Sequence, residues 1–138
     1  MQLINARTNT AVASVVELAV TRAARRRGLL GRDALDVSAG IMLAPCAAVH
    51  TAFMRFPIDV MFVNRDGVVL KIVRDLKPWR MAASLRAYAV VELAAGVERD
   101  VMPGDRLYLA GAVPDTQVGD THSTSLESAL CSTQLLRS

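Results

Sequence analysis

The sequence predicts an α+β domain that is β-rich, with a mainly antiparallel sheet or barrel-like arrangement and one or two short helices. Three observations carry this. Short apolar runs with strand-like character recur from residue 2 to residue 110, separated by turn residues. One segment near the front, TRAARRRG (21–28), reads as helix. The regular β-α alternation of a doubly wound fold is missing, as are GxGxxG and Walker sequences.

QLINA (2–6) and VASVVELAV (12–20) read as strands joined by the polar turn RTNT. In the second, Val12, Val16, Leu18 and Val20 share one parity, the mark of a half-buried strand. Thr21 can cap the following helix, Ala and Arg favour it, and Gly28 stops it. GRDALD (31–36) can add a second short helical turn. GIMLAP and AVHTAFM read as strands separated by Pro45-Cys46. IDVMFVN and GVVLKIV flank NRDG, a hairpin signal because a tight turn needs positive φ. LKPWRM is a loop with a fixed corner at Pro78. AYAVVELAAG resumes a β-like pattern, although its alanines leave helix open. AGVERDVMPGD suggests a helical turn ended by Pro103-Gly104, and RLYLAG a last strand.

The 138 residues make one β-rich domain over 1–111, large enough to fold without disulfides or structural metal. Residues 112–138 are expected to be a polar, partly mobile tail that could carry a short helix, since Thr124 and Glu127 have capping-box spacing. An apolar fraction of 52% excludes a disordered chain, and with aromatics at 4% the interior must be filled by Val, Leu, Ala and Met. No run approaches the roughly 18 apolar residues of a membrane span. The N-terminus lacks the basic region of a signal peptide, and Glu17 interrupts its apolar run. Cys46 and Cys131 form no CxxC pair. The expectation is a cytoplasmic protein with reduced thiols and no membrane contact.

The residues most open to chemistry lie in HTAFMRFPIDVMF (50–62). His50, Ala52 and Met54 share one strand parity. Beyond Pro57, Ile58, Val60 and Phe62 share one face, with Asp59, Met61 and Val63 on the other. A buried Asp59 must find a partner, because an unpaired buried charge costs several kcal/mol. It can cap the Pro57 corner through backbone N–H groups, join His50 in holding a ligand, or lie exposed; Thr51 and Arg80 are further candidate partners. Cys46 and His50 could pair only if the chain bends, since four extended residues separate them by roughly 13 Å. A zinc site of Cys46, His50 and Asp59 has no HxH, HExxH or CxxC signature, so neither metal nor cofactor is expected.

Arg22, Arg25, Arg26, Arg27 and Arg32 form the clearest charge cluster, within a chain of fourteen Arg and two Lys and a net charge of +3. The cluster is either a solvated helix face or a contact for phosphate or an acidic partner. It contains no aromatic stacking platform, which speaks against nucleic acid. Asp105 in PGDRL reads as a turn residue, whereas Glu92 in VVELAAG could pair with an arginine or begin the turn at Gly96.

In order, RGLLGR, GIMLAP, HTAFMRFPIDVMFVNRDGVV, the KPWR loop, VVELAAG and PGDRL form a series. With these the chain resembles, from about Arg27 to Leu109, the bacterial and archaeal family called domain of unknown function 192. The resemblance implies a compact, barrel-like α+β domain with recurring positions at Gly28, Leu29, Met54, Asp59, Gly67, Glu92, Gly96, Gly104 and Asp105. This chain departs from the family in Phe53-Met54-Arg55-Phe56-Pro57, where many members have Trp-Met followed by Lys-Asn-Thr. Leu30 stands where the family often has Met, and His50-Thr51 looks like a subgroup feature. The resemblance implies no established reaction.

The function expected from sequence is a binding or accessory domain for a small polar or anionic ligand, or for a partner protein. Its site would comprise His50, Thr51, Met54, Asp59 and Arg80, with Arg80 as a forked cation and Met54 as an adaptable wall. Two alternatives stand beside it. One is a small hydrolase or isomerase with His50 as general base and Asp59 fixing its tautomer. The other is a protein- or nucleic-acid-interaction module using the Arg22–Arg32 basic face.

Overall fold

The computed structural model describes residues 1–111, so the expected tail lies outside the described residues. Among the described residues, ten strands and one helix run in the order β1 (Gln2–Asn5), β2 (Thr10–Ala13), β3 (Val15–Ala19), α1 (Arg22–Arg27), β4 (Ala39–Leu43), β5 (Ala48–His50), β6 (Ile58–Val63), β7 (Val69–Leu76), β8 (Met81–Ala83), β9 (Ala89–Ala94) and β10 (Leu107–Ala110). They form three sheets, β10-β1-β2, β3-β4-β9-β6-β7 and β5-β8, and among the described residues the strands do not close into one barrel. Pairing is antiparallel except between β3 and β4, which run parallel through the connection that carries α1.

Several expectations change once the chain is folded. The segment 12–20 is not one strand. A bend at Ser14 transfers the chain from the small sheet to the large one, so the single period of valines spans two sheets. GRDALD and the segment before Pro103 are turns and irregular chain rather than helix. The alanine-rich segment at 89–94 is a strand, buried at every residue, and forms the middle of the large sheet. Short β8 emerges from what reads as loop, because it pairs with β5.

The large sheet buries both faces, which is why β6 and β9 are apolar on both parities apart from Asp59 and Glu92. On one face Met42, Met61, Val63, Val91 and Leu93 pack against Leu3, Leu107 and Leu109 of the small sheet. On the other, Leu43, Val60, Phe62 and Val90 pack against Leu29, after α1, and Val49 and Ala82 of the β5–β8 ribbon. Gly40 in β4 marks a close approach: a Cβ there would stand 2.8 Å from Leu93 Cδ2. The NRDG hairpin forms as the sequence indicates. Asn64 Oδ1 accepts the N–H groups of Asp66 and Val68, and Gly67 takes φ 83°.

Candidate functional site

The helix α1 begins at Thr21, whose hydroxyl accepts the N–H of Ala24, and ends at Gly28. Gly28 adopts φ 45°, ψ −123°, a conformation open to little but glycine. The chain then turns inward and buries Leu29 against the large sheet. Between α1, the end of β4 and strand β5 this leaves a cleft of about 410 Å³. Arg22, Arg26 and Arg27 line it from the helix, His50 and Met54 from the β5 side. Its apolar walls are Leu29, Leu43 and Val49.

Glu92 also lines this cleft and is only 5% exposed. Its position follows from strand parity. Along β9, Val91 and Leu93 belong to one core and Val90 to the other, so Glu92 shares the face of Val90 and α1. Its cross-strand neighbours, Ile41 and Val60, are apolar and buried. Burial in these surroundings pushes the carboxyl up to about 7, opposed by the charge of Arg32. Glu92 makes no hydrogen bond or ion pair with another described residue. A Cβ on Gly28 would lie 3.8 Å from Glu92 Oε2, so the glycine borders the carboxyl without covering it.

The arginines divide into two groups. Arg25 donates to the carbonyls of Val20 and Ala44, tying the helix to the strands beside it. Arg32 pairs with Glu17 at 2.6 Å, outside the cleft. Arg22, Arg26 and Arg27 have no hydrogen-bond or ion-pair partner among the described residues. Three free guanidinium groups therefore border a cleft that also holds one buried, unpaired carboxyl.

The site residues picked out from the sequence do not all converge. His50 and Met54 line this cleft. Thr51 is fully buried and holds two loops together. Its hydroxyl donates to the carbonyl of Lys77 at 2.6 Å and accepts the N–H of Arg80 at 2.9 Å. The Arg80 side chain is exposed and donates to the Trp79 carbonyl rather than entering the cleft. Asp59 faces the opposite side of the large sheet, with Met61 and Leu93, and so cannot orient His50. Nor does it cap the Pro57 corner. It accepts the N–H of Asp75 on β7 at 2.9 Å and lies 3.4 Å from Arg99. The corner expectation fails because β7 bulges opposite Asp59 and frees that N–H.

Cys46 meets His50 on the same cleft, since the chain does bend between them. Its thiol donates to the Ala48 carbonyl at 3.1 Å and is held up by burial. Sequence reasoning noted Glu92 but did not assign it to a site. The available signal was an acid flanked by VV and LAA in a strand otherwise apolar on both parities.

These features define a β-rich domain with an arginine-bordered cleft built on a mixed sheet. The chain belongs to domain of unknown function 192, described as "Uncharacterized ACR", whose family model matches residues 3–109. Two crystal structures are similar. One is a protein of unknown function from Novosphingobium aromaticivorans DSM 12444, at 26% identity over 68% of this chain and 74% of that one, with a TM-score of 0.63. The other, from Sinorhizobium meliloti 1021, is described as a "putative transcription regulator"; it is 29% identical over 77% of this chain and 88% of that one, with a TM-score of 0.66. No curated protein matches the chain. Among the described residues no helix is long and apolar enough to cross a membrane.

Proposed function

We propose that this is a cytoplasmic binding domain for a small anionic ligand, seated in the cleft between α1 and β5. The observation that carries the reading is the coincidence of three unpartnered arginines with a buried, unpartnered Glu92 on one concave surface. Unpaired guanidinium groups supply the forked donors that carboxylates and phosphates accept. Structural needs explain Arg25 and Arg32, which have partners, but not Arg22, Arg26 or Arg27. Compared with the site drawn from sequence, the pocket keeps His50 and Met54, gains Glu92, and leaves Asp59, Thr51 and Arg80 to structural duties.

A thermal-shift screen of the full chain against simple carboxylates and phosphate monoesters tests the reading. The expected result is a higher melting temperature for wild type with at least one anion, lost in the double variant Arg22→Glu/Arg26→Glu. Both positions are exposed, so the variant should fold. Failure of every anion to stabilise wild type, or retained stabilisation in the double variant, would overturn it.

A further inference from the structure

The cleft is dipolar, and this narrows what fits it. Arg22, Arg26 and Arg27 bring unpaired positive charge from α1, while Glu92 on β9 brings one buried acid. A simple anion would meet the arginines but set its own negative charge beside the Glu92 carboxyl, which opens on the same cleft. A ligand with an ammonium beside its carboxylate meets both requirements. Leu29, Leu43, Val49 and Met54 then offer an apolar surface to whatever else the ligand carries. The volume of about 410 Å³ falls within the range of small-molecule pockets.

We propose that the cleft binds the zwitterionic head of a small amino acid with an apolar side chain, its carboxylate on the arginines of α1 and its ammonium on Glu92. The proposal rests on the anion-binding reading above and adds the cationic half of the ligand. Binding requires Glu92 ionised. The charged or titratable groups facing the cleft with it are Arg22, Arg25, Arg26 and Arg27 from α1, Cys46 after β4, and His50 from β5, while Arg32, beyond the cleft lining, is the positive charge that favours its ionised form. An incoming ammonium compensates the burial that holds the Glu92 proton in the free protein.

The test is calorimetric titration of the full chain with three probes of one shape: L-leucine, 4-methylpentanoate, which lacks the amine, and 3-methylbutylamine, which lacks the carboxylate. Leucine should bind at least tenfold more tightly than either analogue at pH 8. Its affinity should rise about tenfold from pH 6 to pH 8, following the ionised fraction of a group that titrates near 7. Near pH 7, heats measured in two buffers of different ionisation enthalpy should show proton release. Glu92→Gln keeps His50 and Cys46, and should lose both the leucine preference and the pH dependence while remaining folded. Equal binding of 4-methylpentanoate and leucine would overturn the amino-acid inference and leave the anion reading intact. Absent leucine binding while a phosphate ester still stabilises the protein would do the same. Silence from every probe, phosphate esters included, would remove both.

Discussion

Glu92 shows how one residue can be at odds with the core it sits in. Ile41 and Val60 flank it across the sheet, and no described side chain pairs with it. Its carboxyl is raised to about 7 in the fold from an ordinary value of 4.5. The neutral form is thus the one the fold favours. The associated stability is fully present below about pH 4.5 and is lost as pH rises through about 7. Relative to Glu92→Gln, wild type should melt at a similar temperature at pH 4.5. By pH 8 it should be less stable by about 3 kcal/mol, given a shift of this size. Denaturant titrations of both proteins across this range would check it. A constant gap between them would mean that Glu92 is not desolvated in the free protein.

At the scale of elements, the β6–β7 pair and the loops around β5–β8 use buried polar side chains to fix irregular backbone. The register between β6 and β7 shifts between Ile58 and Val60, and Asp75 in the bulge takes φ 53°. Asp59 bonds the bulge N–H and also faces Arg99, whose side chain is buried and donates to the Ala94 carbonyl. Asp59→Ala would strand that N–H and remove the acid beside a buried guanidinium. It should cost about 2–4 kcal/mol in denaturant unfolding. Because Asp59 faces away from the cleft, the same variant should leave ligand binding unchanged below its melting temperature. Thr51 does comparable work for the loops that hold Phe53 and Trp79, whose rings lie 4.7 Å apart and exposed. Both aromatics adopt φ 64°, a conformation bulky residues rarely take without such support.

Across the whole molecule, closure of the small sheet depends on partners about a hundred residues apart. β1 pairs with β10, and Asn5 is fully buried. Its amide donates to Asp105 at 2.8 Å, while Arg7 grips the same carboxylate with two nitrogens at 2.8 and 3.1 Å. The Met102 N–H completes the set at 3.0 Å, so the turn role read from PGDRL is correct but partial. Arg7, foremost among these donors, holds the Asp105 carboxyl down at about 2. With its folded pKa depressed, Asp105 contributes stability above about pH 3.8 that is lost as pH falls toward 2. Asp105→Asn should therefore be less stable at neutral pH, by about 2 kcal/mol for charged hydrogen bonds of this kind. The deficit should shrink below pH 4. Acid titration followed by circular dichroism would check it, and a deficit that persists at pH 2 would count against the ionic contribution.

What the sequence determined by itself is local. Apolar periodicity fixed most strands, Thr21 and Gly28 bounded the helix, and Asn64 to Gly67 marked the hairpin, because each depends on residues a few positions apart. The succession of apolar runs and turn residues gave most of the order of elements, and the largely apolar faces of β6 announced a strand buried on both sides. The bend at Ser14, the pairing of β8 with β5 and the three-sheet division were decided by contacts between distant segments. The candidate site was decided in the same way. His50 and Asp59 are nine positions apart, but the large sheet stands between their side chains. His50 and Glu92 are far apart in sequence, yet β5 and β9 bring both to one cleft. A strand's parity tells which residues share a face. Only the packed sheet decides which helix, loop and charge that face meets.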